Sequence, residues 1–334
     1  MLFNPKDYTV VFLSYDEPNC DENYQHLLTL CPDAKRVHGV KGSDTAHKEC
    51  AKLSETDRVI IIDGDNRVRS DFFTSSIEIE CNDDNVISFS GFNNINGTKY
   101  GNGGIKCWNV DILKLMRTHE NSVSGNLAVD FDYHTYLEVN RVGSDVIING
   151  SPLQAWRAGF REGIKLSMAE EIDWRNYDRL WRWMHLGRDI DNGLYAIHGA
   201  RFGVFMMKFE NWKDYEKVRD FDFLNGMFNN LITEDTDLLT HANRIGLLLK
   251  HKLSDHRIVD VFTSKESIEY KNKVSNPIRG PETFVINKEK TEYDIVFIHN
   301  NESNAKTNLK KIKKKFPRVK ELSGIKGIHK AHIE

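Results

Sequence analysis

Val59-Ile60-Ile61-Ile62 runs straight into Asp63-Gly64-Asp65. Four consecutive β-branched apolar residues suit a strand buried on both faces, the position of an inner strand in a parallel sheet covered by helices. Such a strand restricts the chain to an α/β arrangement. It also places the two carboxylates at the strand's carboxyl end, where open α/β sheets hold ligands. Gly64 permits a sharp turn between them. Two oxygen donors this close suit a hard divalent cation, Mg²⁺ or Mn²⁺, which can in turn hold a diphosphate. The plain alternative is a polar turn that caps the strand.

The flanking pattern agrees with this frame. Residues 8–14 read as a first strand, 21–30 as a helix stopped by Pro32, 34–40 as a second strand and 44–53 as a second helix. Strand-helix-strand-helix-strand ending at Asp63 is the nucleotide-binding half of a doubly wound sheet. Beyond it, 67–80 reads as a helix and 86–90 as a strand. Tyr100-Gly101-Asn102-Gly103-Gly104 is a glycine-rich loop able to bring backbone N–H groups close to a ligand, or a tight hairpin. Residues 151–168 and 174–184 read as helices, the first carrying Trp156, Arg157, Arg161 and Glu162, and the second rich in packing tryptophans. Helices are also predicted near 213–228 and 235–250, with Glu234 and Asp235 as an acidic helix start.

Composition excludes several classes. No run of 18 apolar residues exists to span a membrane, and residues 1–7 carry no signal pattern. Five scattered cysteines with no CxxC pair predict neither a disulfide framework nor a zinc site, and fit a reducing, cytoplasmic setting. A net charge of −3 gives no global attraction to nucleic acid, so any polyanion contact needs a local basic patch.

The chain also contains a repeat. Residues 293–334 align without a gap on 8–49, an offset of 285. Identities include Glu17/Glu302, Asn19/Asn304, Asn23/Asn308, Lys41/Lys326, Gly42/Gly327, Ala46/Ala331 and His47/His332. Self-similarity on the scale of a domain predicts a tandem protein whose second copy is cut short before its counterpart of Asp63. The retained polar positions at the sheet's ligand edge favour a site over packing. The expected division is a first domain over 1–285, its nucleotide half about 1–110 and its helical half about 111–285, followed by a linker and a truncated second domain over 286–334. The tail's lysine run, Lys306 to Lys320, reads either as a phosphate contact or as a solvated helix face.

Ser14-Tyr15-Asp16-Glu17-Pro18-Asn19, Val40-Lys41-Gly42 with Ala46-His47, Asp63-Gly64-Asp65 and Tyr100-Gly101-Asn102-Gly103-Gly104 together resemble GT-A glycosyltransferases. Within them the pattern is most similar to the phage TET/JBP-associated glycosyltransferases, over about residues 8–205. The resemblance implies a Rossmann-like GT-A fold with a mostly parallel sheet flanked by helices and a helical C-terminal part. It implies a nucleotide-sugar donor, first of all a UDP-sugar, Mn²⁺ or Mg²⁺, and an acceptor hydroxyl on a hydroxymethylated pyrimidine in phage DNA. Under it, Ser14, Tyr15, Glu17, Asn23, Lys41, Gly42, His47, Asp63, Gly103 and Gly104 would line the donor site. Asp63 and Asp65 would serve the metal, with His198 of Ile197-His198-Gly199 completing its shell, although such a histidine taken alone is more often a satisfied core residue than a ligand. The acidic pair Asp130 and Asp132 in Val129-Asp130-Phe131-Asp132-Tyr133 departs from the family's usual Glu-Asp pair. Asp130 or Asp132 is the expected base, with Glu234 or Asp235 next. The competing expectations are a non-catalytic sugar-nucleotide- or DNA-binding module of a tandem enzyme, and a transferase acting on glycan or protein. A sugar-1-phosphate nucleotidyltransferase fits less well, because Tyr15-Asp16-Glu17-Pro18 is not a glycine-rich basic loop.

Overall fold

The computed structural model describes residues 2–74, 76–83, 85–100, 104–117, 136–169, 172, 174–212 and 214–273, together with the backbone of 293–298, 319–325 and 328–333. Asp130, Asp132 and Gly103 lie outside the described residues. The strands are β1 (Leu2–Phe3), β2 (Thr9–Ser14), β3 (Lys35–His38), β4 (Arg58–Asp63), β5 (Asn66–Val68), β6 (Ile77–Glu78), β7 (Val86–Asn93), β8 (Lys99–Tyr100), β9 (Ile105–Asn109) and β10 (Tyr136–Val146), with β11 (Tyr293–Ile298), β12 (Val319–Ile325) and β13 (Ile328–Ile333) in the tail. The helices are α1 (Cys20–Leu30), α2 (Ser43–Lys52), α3 (Val110–Leu115), α4 (Pro152–Ser167), α5 (Trp174–His185), α6 (Gly193–Lys208), α7 (Phe221–Leu231), α8 (Leu238–Leu253) and α9 (Ser264–Lys273). None of the described helices is long and apolar enough to cross a membrane.

The chain is α/β, and the β4 run is as buried as its composition requires: Val59 to Ile62 are at most 2 % exposed. Ile60 and Ile62 pack on one face with Val10, Phe12 and Leu27, and Val59 and Ile61 on the other with Val11, Cys50 and Trp108. β2 lies between β3 and β4 and is parallel to both, so the predicted strand-helix-strand-helix-strand order forms as expected.

The rest of the sheet is mixed, not mostly parallel. Its order is β3-β2-β4-β9-β7-β10-β5, with β8 beside β7. β9 enters antiparallel to β4 and β7, and β5 antiparallel to β10, while β7 and β10 are parallel. The predicted helix over 67–80 is also replaced. Asn66 and Val68 are buried while Arg67 and Arg69 are partly exposed, a period-two pattern that pairing with β10 converts into strand β5.

This short strand forces the sheet to curl. β4 and β5 are four places apart in the strand order. In a flat sheet that separation would be about 19 Å, whereas the Asp63-to-Asn66 link spans at most about 11 Å. The sheet must bend until β10 returns toward the end of β4. The amide of Ile147, just past β10, accordingly donates to the Asp65 carbonyl at 2.7 Å.

The helical half is built on α4 and α6. Ser151 caps α4 by accepting from the Gln154 amide, and Pro152 opens the helix. The two helices approach through glycines at spacing four on each. A Cβ at Gly159 would come within 1.9 Å of the Ala196 carbonyl oxygen, and one at Gly199 within 2.2 Å of that of Trp156. α8 follows the predicted 235–250 segment closely, but its N-cap is Asp237, which accepts from Thr240. Glu234 and Asp235 are exposed in the preceding loop.

In the tail, β11 is the counterpart of β2 in the first copy, whereas the segment aligned with the start of α2 is β13, paired antiparallel with both β11 and β12. Lys330-Ala331-His332-Ile333 alternates polar and apolar residues, which a strand accommodates.

Candidate active site

Asp63 ends β4, and Gly64 and Asp65 turn the chain into β5. The turn is held from several sides. The Asp63 amide donates to the Gly104 carbonyl at 2.8 Å, and Asn23 Nδ2 of α1 donates to the Gly64 carbonyl at 3.0 Å. Asn19 Nδ2 donates to the Ile147 carbonyl at 2.9 Å, fixing the chain that in turn binds Asp65. Gly64 has no room for a side chain: a Cβ there would meet Glu17 Oε2 at 2.7 Å and Ser14 Cβ at 2.9 Å. Glu17 therefore lies against the turn, and its Oε2 accepts from the Tyr15 amide at 2.8 Å.

Three carboxylates are thus gathered at one corner. Burial, then Asp63, then Glu17 push the half-buried Asp65 carboxyl up to about 7, against the hydrogen bond from Asn66. Burial raises Glu17 as well, opposed by the Tyr15 N–H, with Asp16 and Asp63 adding to the rise. Among the described residues no three His, Cys, Asp or Glu side chains are arranged to hold a metal ion. Glu17 therefore adds negative charge beside Asp63 and Asp65 without completing a protein shell. Two carboxylates of this kind fit a hard cation that draws its other ligands from phosphate and water, the usual habit of Mg²⁺.

His198 does not join them. It is fully buried in α6, its Nδ1 accepts from Trp156 Nε1 at 3.0 Å, and its Nε2 faces His241 Nδ1 at 2.9 Å. Burial first, then His241 and Arg201, hold it down at about 3. With both ring nitrogens engaged it is a core histidine, which corrects its assignment to the metal.

Other expected donor residues divide into two groups. Tyr15, Lys41 and Gly42 are exposed at the carboxyl edge of β2 and the start of α2, accessible to a ligand. Ser14, Asn23 and Gly104 instead build the corner. Ser14 Oγ is 3.0 Å from the donating Arg36 Nε and 2.9 Å from His38 Nδ1. Asn23 is buried with its amide on Gly64, and Gly104 leaves the space that Asn66 fills, a Cβ there lying 2.0 Å from Asn66 Nδ2. His47 is buried as well, its Nδ1 2.8 Å from the Ser43 carbonyl. Burial holds it below the ordinary imidazole range, with Ser43 and Asp63 opposing.

Asn66 escaped the sequence reading. It is 1 % exposed, donates to Asp65 Oδ1 at 2.6 Å and accepts from Ser144 Oγ at 2.6 Å. It thereby fixes the rotamer of Asp65 from the first residue of β5. Its place directly after Asp65 was the available signal, obscured by the helix expected from residue 67. A cleft of about 180 Å³ opens beside Asp65 and is lined from α4 by Arg161, Glu162 and Lys165.

No protein-family model matches this chain, and no curated protein matches it.

Proposed function

We propose that this chain is a metal-dependent glycosyltransferase that moves a sugar from a nucleotide-sugar donor, a UDP-sugar first, to an acceptor hydroxyl. The hydroxymethylated pyrimidine of phage DNA is the acceptor that the sequence resemblance favours. The observation that carries the proposal is the corner formed by Asp63, Asp65 and Glu17 at the carboxyl end of β4. Carboxylates crowded until Asp65 is pushed up to about 7 lower their free energy by facing a cation.

A divalent cation held there supplies neutralisation of the charge that grows on the departing diphosphate. The chain's own part is positioning. Asn66 orients Asp65, and the Tyr15 amide holds Glu17 against the turn. Exposed Lys41 and Tyr15 sit where a nucleotide would reach the sheet edge. Removing the acceptor proton would fall to Asp130 or Asp132, which lie outside the described residues, with Glu234 and Asp235 next.

The test is donor hydrolysis and transfer, run with a panel of nucleotide sugars, hydroxymethylated DNA and Mn²⁺. Turnover that EDTA abolishes supports the proposal. Donor binding without turnover across the panel means a non-catalytic module, and full activity in excess EDTA removes the metal.

A further inference from the structure

We infer that the cleft between α7 and Phe202 of α6 is a nucleobase-binding pocket, with Gly226 at its floor. α7 presents two ridges to it. Asp222, Gly226 and Asn230 recur at intervals of four and are exposed, and Phe223, Met227 and Leu231 form a half-buried apolar ridge beside them. The cleft holds about 490 Å³, within the roughly 300–1,000 Å³ of pockets that enclose an organic ligand.

Gly226 is the sharpest sign, because a glycine inside a helix is destabilising relative to alanine. In α4 and α6 close packing accounts for such glycines: Gly159 and Gly199 leave no room for a Cβ. Gly226 has no positive φ, and a Cβ there would meet nothing within 4 Å. Neither backbone shape nor packing among the described residues accounts for it. An occupant of the cleft does, since a side chain would fill the gap between Asp222 and Asn230.

The lining selects the occupant. The walls are mostly apolar, and the Asp222 and Asn230 side chains make no hydrogen bond or ion pair with the described residues. An ionised Asp222 only accepts and repels a phosphate or carboxylate, while the Asn230 amide both donates and accepts. A saccharide would leave most of its hydroxyls unpaired against these walls. A hydrocarbon would strip water from the carboxylate and offer it no partner. A nucleobase has apolar faces and a polar edge, and a carboxylate accepts from its N–H groups as it does from cytosine N4. Asp222 and Asn230 stand two turns, about 12 Å, apart on the helix, a span that a base covers together with its sugar. The adjoining face of α7 is tied to the carboxylate corner. Asn225 Oδ1 accepts from Arg157 Nη1 at 3.4 Å, and Arg157 Nη1 lies 3.7 Å from Asp16 Oδ2.

This inference rests on the glycosyltransferase proposal only for the source of the base, the nucleic-acid acceptor. The probes carry no diphosphate and need no metal, so their failure leaves that proposal to donor hydrolysis. Thymidine and deoxycytidine are titrated into the full chain and followed by saturation-transfer NMR. At least one should bind. Gly226→Leu fills the cleft and should abolish that binding. Its melting temperature should be no lower than wild type, because its Cβ meets no neighbour and leucine favours a helix over glycine. Asp222→Ala should weaken the same nucleoside about fivefold, the worth of one hydrogen bond. If neither nucleoside binds, or Gly226→Leu binds as wild type does, the pocket is refuted. Undiminished affinity in Asp222→Ala refutes it as well, which decides the matter if Gly226→Leu melts below wild type.

Discussion

The Asp63–Asp65 turn and the α4–α6 helix pair both hold ionisable groups away from bulk water, with opposite outcomes. In the helix pair, buried His198 and Arg201 find their partners within the protein. The Trp156 indole donates to His198 Nδ1, which leaves the proton on Nε2 to face His241. Nearby, His185 Nδ1 lies 2.7 Å from the Trp181 carbonyl, and its Nε2 accepts from the Val259 amide at 3.2 Å. Buried Arg201 donates to the carbonyls of Met184, Ala242 and Val259. At the turn, the charges of Glu17 and Asp63 act on Asp65, Asn66 donates to Asp65 and the Tyr15 amide to Glu17, and the Arg157 guanidinium acts on Glu17 from α4. Buried polar groups that satisfy one another are architecture. Half-buried charges mostly of one sign, gathered at a sheet's ligand edge, are what the proposed cation site rests on.

The largest test of this contrast is Asp65→Asn. It keeps the shape and the Asn66 contact but removes a charge, so turnover should fall at least about a hundredfold. The melting temperature should be no lower than wild type, because a crowded carboxylate is gone. A variant that melts well below wild type would show the corner to be structural after all.

Next is Gly199→Ala in the helix pair. Its methyl group would press on the Trp156 carbonyl, and overpacking of this kind costs about 1–3 kcal/mol. Urea denaturation should show that loss, while donor affinity of the folded protein stays unchanged. Full stability would mean the helices separate more easily than their spacing indicates.

A smaller effect separates the regions by pH. Burial, with neighbouring cations, holds His185 and His198 at about 3. Protonating either would aim a new N–H at a donor, the Val259 amide or the Trp156 indole. The unfolded chain binds these protons first, near the ordinary 6.5, so stability is complete above that pH and falls as pH drops toward 3. The slope is at most about 1.4 kcal/mol per pH unit for each histidine. Thermal melts at pH 7, 5 and 4 measure it, and His198→Gln should flatten the curve. A curve equally steep in that variant would place the acid sensitivity outside the helix pair.

The smallest effect is expected from the tail. Residues 1–287 alone should show the circular dichroism and donor binding of the full chain, since the turn and the helix pair both lie within them. An unfolded or donor-blind product would make the tail part of the first domain.

Local chemistry made much of this legible from sequence. Val59 to Ile62 suit a doubly buried strand, so β4, the parallel strand β2 beside it, β3 beyond that, and the position of Asp63 and Asp65 follow from residues adjacent in the chain. The repeat marked Asn19 and Asn23, and the structure explains both as braces of the turn. What adjacency cannot encode is partnership across the fold. Three residues at 66–68 became a strand because β10, some 78 residues later in the Asn66–Ser144 contact, offered an edge. That pairing curls the sheet and sets Asn66 on Asp65. His198 stands in the sequence as a histidine between small and apolar residues, a setting commoner for a core histidine than for a metal ligand but open to both. Only the packing of α6 on α4 and α8, which brings Trp156 and His241 to its two nitrogens, decided between them, because a histidine's role is set by what meets its ring.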